Sequence, residues 1–300
     1  MYQIADPGRP HTIVRMDKVA GVWKSMRPRQ WVKNVLLLAV PALDGSIIGE
    51  AGVVALGFLS WCLVASGAYL WNDANDVERD RIHPIKKNRP IAAGVVSEST
   101  ARVSAVSVIL VGLGIGAFAG TNYLLVLSAY AVHTFSYSLW LKHVPTVEIV
   151  ALSSGFVLRT VAGAVIVDAF ISAWFFVVVA GGSLLLASGK RSAELKHGAS
   201  VRSVLAEYTP EYLTTIRGAA VAVAATSYIV WVFEGTLGGS VAAQVSILPY
   251  LTTLLRYAQH ASNGEGGEPE ELIFRDKVIA LNGLAWLTCL GIGITMGGWL

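Results

Sequence analysis

Cysteine is almost missing from this chain. The two that occur, Cys62 and Cys289, lie far apart inside apolar stretches. Neither spacing suits a zinc site or a disulfide framework, so both read as small packing residues. Charge is scarce too: 14% of the 300 residues are Asp, Glu, Lys or Arg, against 54% hydrophobic. That balance excludes a soluble domain, because the apolar residues come in runs of about twenty, the length that crosses a bilayer. No cleavable leader is expected, since Arg9, Arg15, Lys18, Lys24, Arg27 and Arg29 crowd the start without an apolar core. A glycine-rich nucleotide loop and a nucleophile–base arrangement are also missing, which disfavours nucleoside triphosphate hydrolysis and covalent catalysis.

What is abundant is the long apolar run. Nine occur, at about 32–49, 52–71, 101–119, 122–141, 147–167, 170–188, 212–233, 241–258 and 278–299. The eighth is the most dilute, with Gln244, Ser246, Thr252 and Thr253, and with Pro249 to kink it. Threading nine spans puts the N-terminus, 72–100, 142–146, 189–211 and 259–277 on one side. The turns on the other side carry Asp44, Glu50, Asp168 and Glu234 but neither Lys nor Arg. The positive-inside rule then places the N-terminus in the cytosol and the C-terminus outside. Residues 1–17 read as a flexible cytosolic tail, 18–31 as a short interfacial helix with Val19, Val22, Trp23 and Met26 on one side, and 18–300 as one membrane domain. The segment from Ser262 to Pro269 reads as a flexible loop. Glycines within the spans, such as Gly112, Gly163 and Gly293, suit close helix packing.

Charges of both signs concentrate in one place, from Asn72 to Arg89. Asp73, Asp76 and Asp80 are spaced i, i+3, i+7, one narrow arc of a helix. Three carboxylates on one face repel unless something positive sits among them, and a hard divalent cation shared with a substrate phosphate is the usual answer. Arg79, Arg81, His83, Lys86, Lys87 and Arg89 follow, suited to the remaining charge of a phosphorylated ligand. A second charged group, Lys190, Arg191 and Glu194, closes the sixth span. Lys142 ends the fourth. Arg159 lies inside the fifth, where an unpaired cation costs at least about 2.5–3.5 kcal/mol, so it faces the bundle interior, a wet cavity or an acidic ligand.

These residues carry a resemblance. Asn72-Asp73-x-x-Asp76-x-x-x-Asp80, then His83-Pro84 and Asn88-Arg89-Pro90-Ile91-Ala92-Ala93-Gly94, resembles the first signature of the UbiA superfamily of membrane prenyltransferases. Within it the chain is similar to the decaprenyl-phosphate phosphoribosyltransferases. Arg27-Pro28-Arg29-Gln30-Trp31-Val32-Lys33-Asn34, the segment from Gly189 to Leu195 and the segment from Glu270 to Asp276 carry that likeness. The resemblance implies an all-α, UbiA-type bundle of nine transmembrane helices with cytosolic active-site loops in the plasma membrane. It implies Mg²⁺ on Asp73 and Asp76 with Asp80 in support. It further implies phosphoribosyl pyrophosphate as donor, a polyprenyl phosphate as acceptor, and a product used in arabinan synthesis.

Enzymes of the superfamily that use prenyl diphosphates carry a second aspartate-rich motif after the sixth span, where this chain has Lys190, Arg191 and Glu194. Substrate contacts are accordingly expected from Lys33, Asn72, Arg79, Lys86, Lys87, Arg89, Lys142, Arg159, Lys190, Arg191 and Glu194. No nucleic-acid partner is expected, and self-association stays open. Two rival readings are a prenyltransferase acting on an aromatic acceptor, which should show the second motif, and a transporter, which should place its ionisable residues near the midplane.

Overall fold

Once water is excluded, apolar runs can satisfy their backbone groups only within helices or closed barrels. Helices are what form here. The structure, a computed structural model, describes residues 17–196, 203–234 and 240–297, and among these every regular element is helical. The tail 1–16, Arg202 and the chain beyond Gly297 lie outside the described residues.

Helix α1 (Lys18–Ser25) is followed by a 3₁₀ stretch (Pro28–Leu38) and by α2 (Ala39–Asp44). Next come α3 (Ala51–Asn75), α4 (Val77–Ile82), α5 (Glu98–Ala117), α6 (Thr121–Leu139) and α7 (Val147–Ile166). The remainder is α8 (Ala173–Lys196), α9 (Pro210–Glu234), α10 (Val241–Val245), α11 (Ile247–Ser262), α12 (Pro269–Arg275) and α13 (Lys277–Gly297). Seven of these helices, α3, α5, α6, α7, α8, α9 and α13, are long and apolar enough to cross a membrane, and the chain is a multi-pass membrane protein.

The first and eighth expected spans take other forms. The first is an 11-residue 3₁₀ stretch continued by the six residues of α2. Pro28, with no N–H to satisfy, opens it. Such runs rarely exceed three or four residues, and tertiary contacts hold this one. Trp31 Nε1 donates to Ser66 Oγ on α3 at 3.0 Å, and Asn34 Nδ2 donates to Cys62 Sγ at 3.1 Å. On α7, a Cβ at position 163 would stand 1.9 Å from the Leu37 carbonyl oxygen. Only glycine lets the two backbones approach so closely. The eighth span divides at Ser246 into α10 and α11.

Charged ends gather on one end of the bundle. Arg27 reaches Asp73 at the end of α3, Glu148 at the start of α7 meets Arg191 near the end of α8, and His260 near the end of α11 meets Asp276 just before α13. At this end α1 stops at Ser25, shorter than the expected 18–31 helix, with Val22 and Met26 packed inward but Val19 and Trp23 exposed.

The expected flexible loop is folded down. Tyr257 donates its hydroxyl to Gly266 O at 3.1 Å, Lys196 Nζ donates to Asn263 O at 2.6 Å, and Glu265 pairs with His260. Glycine composition suggested freedom, whereas here it permits contact: a Cβ on Gly266 would lie 2.9 Å from the Gly189 Cα.

Candidate active site

A cavity of about 460 Å³ opens among α3, α6, α7, α8 and the 3₁₀ stretch at the charged end. Its α3 wall runs from Ala65 through Ala68, Tyr69 and Asn72 to Asp76, and α7 contributes Ala151, Leu152, Gly155, Phe156 and Arg159. Both sets follow helical spacing, which turns one stripe of each helix inward.

The expected single helix carrying Asp73, Asp76 and Asp80 is interrupted at Asp76, between α3 and α4. Backbone bonds from Asp76 N to Asn72 O (2.9 Å) and from Asp80 N to Asp76 O (2.8 Å) nevertheless keep the pitch. Asn72, Asp76 and Asp80 therefore line the cavity. Asp73, about 100° round the helix from Asn72, is buried and does not line it.

The positive charge expected among the carboxylates is supplied by the chain. Asp73 Oδ1 accepts from Arg27 Nη2 at 2.5 Å and from Arg89 Nη1 at 3.0 Å. Arg89 Nη1 also donates to Asp80 Oδ2 at 2.6 Å. Lys142 Nζ donates to Asp76 Oδ1 at 2.8 Å, with Arg79 Nη1 3.9 Å from the same oxygen. Among the described residues no cluster of three or more His, Cys, Asp or Glu side chains is gathered as for a metal. Burial pushes the Asp80 carboxyl up from the ordinary aspartate value, and Arg89 pulls it part of the way back.

The other expected site residues divide into two groups. Lys33, Arg79, Lys86, Arg89, Arg159, Lys190 and Glu194 line the cavity with Asn72. Lys33 also pairs with Glu270 at 3.2 Å. Lys87 is exposed outside it. Lys142 is buried behind Asp76.

Arg191, expected to receive a phosphate, is fully buried and committed to the protein. Its Nε lies 2.8 Å from both Glu148 carboxylate oxygens, Nη1 pairs with Glu194, and Nη2 donates to Tyr137 Oη at 2.8 Å. Tyr208 completes the knot by donating to Glu148 Oε1 at 3.0 Å. A guanidinium so satisfied ties α6, α7 and α8 together and does not face the cavity.

Several lining residues escaped the sequence reading. Tyr130, His133, Thr134, Tyr137 and Ser138 form a polar stripe down α6, a periodicity visible in the fourth apolar run once it is sought. Glu148, a lone acid opening the fifth run, does not line the cavity but was a clue to the buried pair with Arg191. Gly267, Glu268 and Pro269 line the mouth only because the loop folds over it, which no local pattern announces. His83 was counted with the cations. Its Nδ1 accepts from Ile85 N (3.2 Å) and Lys86 N (3.3 Å), and burial with nearby Lys86 lowers its pKa. The ring is thus neutral with its proton on Nε2.

A cavity with oxygen donors on one wall and cations around them suits a phosphorylated substrate. The model of the UbiA prenyltransferase family matches residues 35–272. A decaprenyl-phosphate phosphoribosyltransferase of Corynebacterium glutamicum is 40% identical, covering 91% of this chain and 86% of that protein. One from Mycobacterium tuberculosis is also 40% identical, covering 93% and 96%. Among solved structures, a UbiA homolog from Archaeoglobus fulgidus bound to GPP and Mg²⁺ superposes with a TM-score of 0.68 at 16% identity, covering 92% of this chain and 98% of that one. This chain belongs to the UbiA prenyltransferase family.

Proposed function

We propose that this chain transfers 5-phosphoribose from phosphoribosyl pyrophosphate to a polyprenyl phosphate of the decaprenyl type, releasing pyrophosphate. The observation that carries the reading is that, among the described residues, the cavity's aspartates stand on one wall only. Asn72, Asp76 and Asp80 stand on one side, while the facing end of α8 offers Lys190 and Glu194 where a second aspartate set would serve a prenyl diphosphate. The activity for which the corynebacterial and mycobacterial relatives are named supports the same choice, as they match over 86% and 96% of their length. Such a product feeds arabinan synthesis.

The donor set fits a hard divalent cation. Each lining aspartate gives one oxygen to a cation of the chain, Asp76 Oδ1 to Lys142 and Asp80 Oδ2 to Arg89. Asp76 Oδ2 and Asp80 Oδ1 are left outside those bonds. Two carboxylates and the Asn72 amide match the way Mg²⁺ is held, by few protein oxygens together with substrate phosphates. When bound, such an ion takes charge off the departing pyrophosphate as the anomeric carbon becomes cationic. The chain's part is electrostatic and positional. Arg89 and Lys142 hold the carboxylates in register, Lys86 and Lys190 face the phosphates, and neutral His83 offers Nε2–H. The lipid phosphate is already an anion and attacks without a general base, so a single displacement inverts the anomeric centre.

The nine-crossing topology is part of this reading. The 3₁₀ stretch spans about 22 Å and α2 about 9 Å, together enough for the roughly 30 Å hydrocarbon core. Helices α10 and α11 together span about 32 Å. The cation bias of the loops supports a cytosolic site, with residues 18–300 as one membrane domain.

The test is product analysis with purified protein, labelled phosphoribosyl pyrophosphate and a polyprenyl phosphate. A phosphoribosylated lipid and pyrophosphate should appear in equal amounts. Prenyl transfer from a prenyl diphosphate to an aromatic acid, with phosphoribosyl pyrophosphate ignored, would overturn the reading.

A further inference from the structure

Arg159 stands at the far end of the cavity from Asp76. It lies twelve residues beyond Val147, about 18 Å of helix rise, and is 5% exposed. Its bonds all go to neutral groups: Nε to Asn34 Oδ1 at 2.8 Å, Nη1 to Gly155 O at 2.6 Å and Nη2 to Tyr130 Oη at 3.1 Å. The rings of Trp61, Tyr130 and Phe156 lie 5.1–5.9 Å from the guanidinium carbon. Arg27, Lys33, Arg79 and Arg89 line the same cavity, and each has a carboxylate partner. Arg159 has none among the described residues. Of its five N–H groups, three are used, leaving one on each terminal nitrogen of a side chain that lines the cavity.

A buried charge without a counter-ion is costly unless a ligand supplies one. The cavity therefore has two places for anions, the charged mouth at Asp76 and the floor at Arg159. Ala65, Ala68, Leu152 and Ala187 are among the residues between them. An apolar lipid chain laid to the floor would leave Arg159 uncompensated. A polyprenyl phosphate carries its charge at one end only. Phosphoribosyl pyrophosphate carries anions at both ends, with the neutral ribose between. Building on the phosphoribosyl-transfer reading, we infer that Arg159, held by Asn34 and Tyr130, receives the 5-phosphate of the donor at the cavity floor while the pyrophosphate lies at the mouth. The site takes a phosphate monoester, and its forked donors suit two phosphate oxygens at once. Arg159 then sets donor specificity: a sugar pyrophosphate without the 5-phosphate leaves it unpaired.

The test uses the full-length protein in lipid nanodiscs, with Arg159→Met and Arg159→Lys. KM is measured for phosphoribosyl pyrophosphate, for ribose 1-pyrophosphate, which lacks the 5-phosphate, and for a polyprenyl phosphate. Arg159→Met should raise KM for phosphoribosyl pyrophosphate about ten- to a hundredfold and leave the lipid KM within about twofold, with Arg159→Lys between it and wild type. Wild type should prefer the 5-phosphorylated donor by a similar factor, and Arg159→Met should lose that preference. A merely structural arginine would leave the preference intact, which overturns the inference, as does a rise confined to the lipid KM. If Arg159→Met is not monodisperse, inhibition of wild type decides. Ribose 5-phosphate should compete with the donor far better than ribose, and equal inhibition overturns the inference. Wild type that turns over no phosphoribosyl pyrophosphate would refute the underlying reaction instead.

Discussion

Arg191 and Asp73 show how burial divides residues that look alike in sequence. Both belong to conspicuous charged motifs, and both point into protein. Arg191 is sealed against Glu148, with each side chain fully buried. Removing one partner of such a pair typically costs about 3–5 kcal/mol, because the other charge is left uncompensated. Arg191→Met should therefore lower thermal stability in detergent sharply, with little change in KM for whatever fraction stays folded. An Arg191→Met, Glu148→Leu double variant should recover most of the loss. A large KM effect in a stable single variant would return Arg191 to the substrate. At the acidic wall, Asp76→Asn and Asp80→Asn should each cut kcat/KM about a hundred- to a thousandfold, the scale of removing one preorganised electrostatic group. EDTA should abolish wild-type activity reversibly. Asp73→Asn should instead cost stability, on the order of 1.5–3 kcal/mol for weakened bonds to Arg27 and Arg89, while the response to Mg²⁺ persists. Activity that survives full chelation would remove the metal.

Among the elements, the segment joining α11 to α13 departs most from its composition. Asp276 caps α13 by accepting from Val278 N (2.8 Å) and Ile279 N (3.1 Å), and it also takes Arg256 and His260. His260 lies between Glu265 (2.5 Å) and Asp276 (2.6 Å), one ring nitrogen to each. Bonds to Glu265 and Asp276 raise the His260 pKa above 6.5, and the His260 bond leads those that hold Asp276 well below 3.8. A raised histidine stabilises fully below its unfolded value and loses that contribution as pH rises through its folded value. The depressed Asp276 stabilises above its unfolded value and loses its share as pH falls through its folded one. Stability should thus decline as pH climbs above about 6.5, and His260→Gln should flatten that decline; melting curves from about pH 6 to about pH 9 check it. An equal slope in the variant would assign the decline to other groups. Hydrogen exchange at 263–269 should quicken over the same range.

At the scale of the whole molecule, the question is how many segments cross the membrane. Among the described residues seven helices qualify by length and apolarity, and the 3₁₀ stretch with α2, and α10 with α11, reach the same length in unusual forms. Reporters at Asp17 and Gly45 should fall on opposite sides if Pro28–Asp44 crosses, and one at Gly266 should share the side of Asp17. A reporter after Leu300 should report the outside. Asp17 and Gly45 on one side would leave the first segment folded against the bundle without crossing.

Much of this was legible in the chain itself. Runs of apolar residues long enough to span a bilayer are a one-dimensional property, as is the absence of Lys and Arg from alternate loops, so helical architecture and the charged end could be read directly. The motif from Asn72 to Asp80 also marked the site through the i, i+3, i+7 spacing of its aspartates, although the set that lines the cavity, Asn72, Asp76 and Asp80, is spaced i, i+4, i+8. Which motif members face the cavity was decided only by packing. Asp73 is turned aside by the bonds to Arg27 and Arg89, Arg191 is claimed by Glu148 from 43 residues earlier in the chain, and the loop from Ser262 to Pro269 is fixed by Tyr257 and Lys196. Arg159 was legible as an anomaly, a cation in an apolar run, and only the structure showed its partners to be neutral. Sequence determines where charge is concentrated along the chain; tertiary structure decides which charges neutralise one another, because that depends on distances between segments far apart in sequence.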